Sequence, residues 1–240
     1  MPNRHIPVGL PPRARQPGKV TPDEARLAAA ALRGGGARAN AAFDRLLPAA
    51  LRDVSEDYWT PTPVIHRVAA WLRAEQVGTI VDIGSGAGKF CVATGLLTPC
   101  RVIGLEQRQS LVAAAQALAG RFPLQGRVTF VHGGFGEVPT PRGDAYYLFN
   151  PFGEYSFAAA GYADDGVAFT RRAHERDRAA LIRFLASAPA GTVVITYNGI
   201  GGKLPRSYEQ VRVDVSFRGA LRLWKKRPAV HGPENLSPPV

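Results

Sequence analysis

The stretch Val81-Asp82-Ile83-Gly84-Ser85-Gly86-Ala87-Gly88-Lys89 decides the fold. A short apolar strand over Thr79–Ile83 runs into a turn with glycine at every second position, and a mostly buried helix is predicted over Lys89–Leu97. Glycine tolerates the backbone angles of a tight turn and lets a ligand approach the main chain closely. The helix that follows aims its first amides into the same crevice. A dinucleotide-binding turn carries Gly-x-Gly-x-x-Gly, whereas this one reads Gly-x-Gly-x-Gly behind an acid, Asp82. That spacing, with no evident hydride-transfer partner, argues against a nicotinamide-dependent oxidoreductase.

Towards the C-terminus the apolar pattern keeps alternating. Strands are predicted at 101–105, 128–131, 145–149 and 192–197, with helices at 110–122 and 171–188 between them. Strands alternating with helices imply right-handed crossovers and a parallel sheet covered on both faces. The end of the chain differs. Val211, Val213, Val215 and Phe217 alternate with Arg212, Asp214 and Ser216, which predicts a strand with one wet face, as in antiparallel pairing. Arg218-Gly219 makes a turn and residues 220–225 return. The expected fold class is therefore α/β, a mainly parallel doubly wound sheet ending in an antiparallel hairpin.

Towards the N-terminus, Tyr58-Trp59-Thr60-Pro61-Thr62-Pro63 forms a rigid loop before a helix with apolar positions 64, 65, 68, 71 and 72. Thr21-Pro22-Asp23-Glu24 supplies an N-cap, a first-turn proline and two acids, and so starts a helix that runs to Arg33 and stops at Gly34-Gly35-Gly36. A second helix over 38–51 carries Phe43, Leu46 and Leu47 on one side. The expected organisation is a disordered basic tail (1–20), an N-terminal helical extension (21–57), the ligand-binding α/β domain (58–227) and a flexible proline-rich tail (228–240).

Composition bounds the function. The 240 residues, 45% hydrophobic and 20% charged, suffice for one sizeable core. No apolar run is long enough to cross a membrane, and the N-terminus has no apolar signal region, so no membrane partner is expected. Two cysteines alone, Cys91 and Cys100, favour a reducing cytoplasm, and no metal-ligand spacing occurs. The net charge of +11 suits an acidic partner such as nucleic acid, although basic residues on solvated faces account for it equally simply.

The second strand ends Val102-Ile103-Gly104-Leu105-Glu106. Glu106 falls about twenty residues after the glycine turn, where an acid accepts hydrogen bonds from a ribose diol. With that pairing, VDIGSGAGKF followed by VIGLEQ resembles the first two motifs of the class I S-adenosylmethionine-dependent methyltransferases over roughly residues 58–225. The resemblance implies S-adenosylmethionine as cofactor. It places Gly84, Ser85, Gly86 and Gly88 around the cofactor, Asp82 as support for the turn, and Glu106 with Gln107 at the ribose. Tyr58 and Thr60, in YWTPTP, resemble a Thr-Pro element flanking the cofactor in some amino-methylating members. The family often has an Asp after the third strand for the adenine amino group. This chain has Gly133-Gly134-Phe135, so the backbone at Gly134 takes that place, and Phe135 either stacks on adenine or packs in the core.

The fourth strand runs into Asn150-Pro151-Phe152, which resembles the Asn/Asp-Pro-Pro-aromatic motif of amino-group methyltransferases with the second proline missing. The resemblance makes Asn150, Pro151 and Phe152 the catalytic candidates, with Asn150 also at the cofactor. The Asn150 side-chain oxygen and the Pro151 carbonyl would orient an amine. The loop 154–170, with Tyr155, Phe157, Tyr162, Asp164 and Asp165, reads as a lid or substrate wall. The expected activity is methyl transfer to a nitrogen acceptor, macromolecular or small, with a protein lysine among the candidates. The alternatives are RNA or DNA methylation, or a non-catalytic cofactor-binding protein.

Overall fold

The computed structural model describes residues 21–52, 55–151 and 171–228. Phe152, the 154–170 loop, the basic tail and most of the C-terminal tail lie outside the described residues. The chain begins with α1 (Pro22–Gly34), capped reciprocally: Glu24 N–H donates to Thr21 Oγ1 and Thr21 N–H to Glu24 Oε2 at 2.7 Å. The helix expected over 38–51 is broken into α2 (Ala37–Asp44) and α3 (Ala49–Arg52). Pro48 is the cause, because it lacks an N–H and disfavours helical geometry at the residue before it. Its carbonyl instead accepts from Leu51 and Arg52 and starts α3. Then come α4 (Ser55–Tyr58) and α5 (Thr62–Ala74).

The alternating core follows as predicted: β1 (Thr79–Ile83), α6 (Lys89–Leu97), β2 (Arg101–Glu106), α7 (Gln109–Ala119), β3 (Val128–His132), β4 (Ala145–Phe149), α8 (Arg171–Ser187), β5 (Val193–Tyr197), β6 (Tyr208–Asp214) and β7 (Leu221–Lys226). The strands form one sheet in the order β3-β2-β1-β4-β5-β7-β6. The first five run parallel, and β7 pairs antiparallel with both β5 and β6. Among the described residues, no helix is long and apolar enough to cross a membrane.

The central strands β1, β2, β4 and β5 are buried on both faces, which is why they read as mainly apolar runs. On one face Ile80, Val102, Ala145, Tyr147 and Ile195 pack under α1, α5 and α6, in the same cluster as Leu32, Phe43 and Leu47 of the N-terminal helices. On the other face Val81, Ile83, Leu105, Leu148 and Val194 pack under Leu181 and Leu185 of α8. The N-terminal helices thus share their core with the sheet.

The final hairpin departs from its pattern. Val211, Val213 and Val215 are 45%, 51% and 74% exposed, so the valine row is not the buried face. A register shift between Gln210 and Arg212 rotates the strand. The polar partners turn to α5 instead: Arg67 meets Asp214 at 2.8 Å, and Glu75 meets Arg212 at 3.1 Å and Lys225 at 3.0 Å.

Candidate cofactor and acceptor site

The strand order reverses between β1 and β4, and open α/β sheets bind ligands at such a point, outside the carboxyl ends of the strands. The Gly84–Gly88 turn leaves β1 there, and Asn150-Pro151 leaves β4 beside it. The N–H groups of Gly84 and Ser85 both donate to Leu105 O, at 2.9 and 3.0 Å, which ties the turn to β2. Gly84 has φ +83, and no atom lies within 4 Å of where its Cβ would be. That side of the turn is an open crevice floored by main chain. Gly88 serves packing: a Cβ there would lie 2.7 Å from Ala115 Cβ and 2.8 Å from Phe130. Ser85 Oγ is buried with no hydrogen-bond partner among the described residues.

Glu106 is 5% exposed at the end of β2. Its Oε2 accepts the Gly86 N–H and its Oε1 the Arg108 N–H, both at 2.9 Å. Burial raises its pKa, and those two backbone donors oppose the rise. The Gln107 N–H also bonds the carboxylate, and with about four acceptor sites in all Glu106 keeps capacity for a further hydroxyl donor. Gln107 is half-buried, and its carbonyl meets His132 Nε2 at 3.1 Å. Asp82 lies beneath the turn, 4% exposed, accepting from Cys91 Sγ at 3.3 Å. Burial pushes its carboxyl up to about 7, opposed by the Cys91 bond and aided by the Glu106 charge.

Thr60 Oγ1 and Tyr147 Oη lie 2.9 Å apart in the interior, and the Tyr147 ring stacks on Phe90 at 3.8 Å. Thr60 therefore anchors the segment before α5 to β4. Tyr58 is half-buried, its ring 6.5 Å from that of Trp59. Past β3, Phe135 is 8% exposed and meets Phe184 of α8 edge-on at 5.7 Å. Phe135 is thus packed in the core on this side of the sheet. Gly134 is buried, and a Cβ there would strike the Glu137 carboxylate, 2.7 Å from its Cδ. That carboxylate, three residues beyond the glycine, is 62% exposed and pairs with Arg176 of α8 at 3.6 Å.

Asn150 is exposed at the β4 terminus with φ +41, a left-handed conformation that asparagine tolerates better than most residues, and its N–H donates to Tyr197 O at 3.1 Å. Pro151 is buried. Asn198, at the neighbouring β5 terminus, also has positive φ (+64), and its side chain fills the space a Cβ at Gly219 would need.

Sequence reasoning passed over two residues here. Trp59 lays its ring on Gly86. Lys89, at the start of α6, is 1% exposed and donates to Asn40 Oδ1 at 2.9 Å and Ser55 Oγ at 3.0 Å, with Asp44 Oδ1 at 2.6 Å. Burial lowers its pKa, and Asp44 opposes that shift. A cation at a helix N-terminus works against the helix dipole, so the counter-charge from α2 is a structural requirement. The only local signal for either residue was position, next to the glycine turn or the Thr-Pro element.

No family model and no curated protein matches the chain. Solved structures share its fold. An RNA methyltransferase from Salinibacter ruber, in complex with S-adenosyl-L-homocysteine, is 19% identical over 75% of this chain and 99% of its own, with a TM-score of 0.51. The mitomycin 7-O-methyltransferase MmcR is 16% identical over 79% of this chain and 57% of its own, also with a TM-score of 0.51. The seven-stranded order, the antiparallel last hairpin and the glycine turn at the sheet's reversal point together are the Rossmann-like fold that these methyltransferases have.

Proposed function

We propose that the chain is an S-adenosylmethionine-dependent methyltransferase acting on a nitrogen acceptor. The observation that carries the cofactor half is the joining of the open Gly84 turn to the Glu106 carboxylate through the Gly86 N–H. The residues fit the cofactor: Gly84 leaves room against the main chain, Glu106 keeps acceptor capacity for a ribose hydroxyl, and the buried Ser85 hydroxyl has no partner among the described residues. Glu137, beside Gly134, is the acid for the adenine amino group in this reading.

When bound, S-adenosylmethionine supplies an electrophilic methyl group on a sulfonium leaving group. The protein has to align the acceptor, exclude water and let one proton leave. Asn150 is exposed at the carboxyl end of β4, with its main chain held there by the N–H bond to Tyr197 O, and its side-chain amide oxygen accepts from the acceptor amine in this scheme. The Pro151 carbonyl is the second acceptor of amine hydrogens in this scheme. A protein lysine is the first acceptor to test.

RNA methylation is the second reading, favoured by the net charge of +11 and by the activity of the Salinibacter ruber protein of the same fold. A radiolabelled methyl-transfer assay on fractionated lysate separates the two. Label in protein that survives nuclease supports the amine reading. Label confined to RNA replaces it with the second, and no label in any pool, with cofactor bound, leaves a binding protein without catalysis.

A further inference from the structure

The glycine turn has one open side and one covered side. The Cβ position at Gly84 is empty to 4 Å, whereas a Cβ at Gly86 would lie 3.0 Å from Trp59 Cε3 and 3.1 Å from Cη2, with Cζ3 nearer still. The six-membered ring of Trp59 therefore rests on the main chain at Gly86. Gly86 is also the residue whose N–H reaches Glu106 Oε2. A ligand spanning from the Gly84 backbone to the Glu106 carboxylate has to pass Gly86, and the indole stands beside that path. The indole is half-buried, so part of it remains for such a ligand to cover.

The ring is held from the N-terminal side. Trp59 Nε1 donates to Leu51 O of α3 at 2.9 Å. The next residue, Thr60, is pinned to Tyr147 of β4. On the other side of the contact, Lys89 follows Gly86 by three residues and is bound to Asp44 and Asn40 of α2 and to Ser55 of α4. Ring and turn are thus both fastened to the short N-terminal helices, the ring to α3 and the turn to α2 and α4. Trp59 also packs against the core on the α5 and α6 face of the sheet, so its ring joins that core to the turn.

We infer that Trp59 is a cofactor-contacting residue, and that through it the N-terminal helices form one wall of the cofactor site. The inference rests on the proposed binding of S-adenosylmethionine. S-adenosylhomocysteine is the probe, followed by calorimetry and by tryptophan emission in the full chain. The other two tryptophans are Trp71, buried on α5, and Trp224, on β7. The wild type is expected to bind and to change its emission. Trp59→Phe keeps an aromatic ring over Gly86, so its affinity should drop only roughly threefold while the emission change disappears. Trp59→Ala removes the wall and should weaken binding by about tenfold or more. If Trp59→Ala does not fold, the emission of Trp59→Phe decides alone. The inference is overturned if Trp59→Phe shows the wild-type emission change, or if folded Trp59→Ala binds with unchanged affinity. A wild type that binds neither S-adenosylhomocysteine nor S-adenosylmethionine overturns the proposed function itself, and the inference with it.

Discussion

Replacing Lys89 by methionine should be among the most damaging single changes available outside the apolar core. The methionine keeps the length of the stem and removes the ammonium. Asp44 is then left with a side chain only 9% exposed and one remaining donor, Asn40 Nδ2 at 3.1 Å. Removing one partner of a buried pair costs about 3–5 kcal/mol, because the other charge stays in a medium that solvates it poorly. At about 2–4 °C per kcal/mol for a domain of this size, the melting point should fall by roughly 6–20 °C. The pair as a whole is a different matter. Burial lowers the Lys89 pKa even with Asp44 beside it, so desolvation outweighs the attraction. Removing both charges, as Lys89→Met with Asp44→Leu, should therefore bring stability back to within about 1 kcal/mol of wild type. Urea unfolding at pH 7, followed by circular dichroism on the four proteins of the cycle, measures each value. A Lys89→Met protein within about 0.5 kcal/mol of wild type would refute the reasoning. So would a double variant that loses the sum of the two single changes.

Gly84→Ala should cost only the left-handed strain of about 1–2 kcal/mol, since its Cβ meets nothing, yet place a methyl in the crevice and weaken S-adenosylhomocysteine binding by about tenfold. Gly86→Ala adds a collision with Trp59 to similar strain and should cost about 2–5 kcal/mol with an altered emission spectrum; equal behaviour of the two alanines in melting and calorimetry would refute the distinction. Asp82 holds its proton in the folded state up to about 7, against 3.8 for the free side chain, so its contribution to stability is complete below pH 3.8 and is lost as the pH rises through 7. Asp82→Asn cannot titrate, and its stability relative to wild type should improve between pH 4.5 and 8 by a few kcal/mol; a difference independent of pH would count against a buried, protonated Asp82. Asn150→Gly keeps the left-handed backbone and removes the amide, so it should melt near wild type and bind S-adenosylhomocysteine normally while turnover drops at least about tenfold; full turnover would make Asn150 a turn residue only.

The strands were legible because their surroundings left little choice. Ile80 to Ile83 and Val193 to Tyr197 are buried on both sides of the sheet, so each is a mainly apolar run, broken only by Asp82 and Thr196. Glu106 was legible because the fold allots one place, the end of β2, to an acid that meets the glycine turn. The final hairpin was legible as strands but not as faces. Alternating valines ordinarily mark the inward row, but here Glu75 and Arg67 on the α5 side reach Arg212 and Asp214, and the valines are left in solvent. Nothing local announces a counter-ion more than 130 residues away in the chain.

Lys89 and Trp59 likewise depend on partners distant in the chain. The burial of Lys89 is accounted for only when Asp44, 45 residues earlier, is folded onto it. A tryptophan before a Thr-Pro element reads as loop until Gly86 supplies the one surface without a side chain on which its ring fits. Residues 21–57 read in the sequence as a helical extension to the α/β domain. In three dimensions α4 (Ser55–Tyr58) crosses residue 57, Leu32, Phe43 and Leu47 are buried in the same cluster as Ile80, and Lys89 has its counter-charge on α2. Cutting the chain before residue 58 would leave an ammonium without its carboxylate at the head of α6 and would remove Leu51, the acceptor that orients Trp59. The glycine turn is thus held by β2 on one side and by the N-terminal helices on the other, and the crevice at Gly84 is what those two supports leave open.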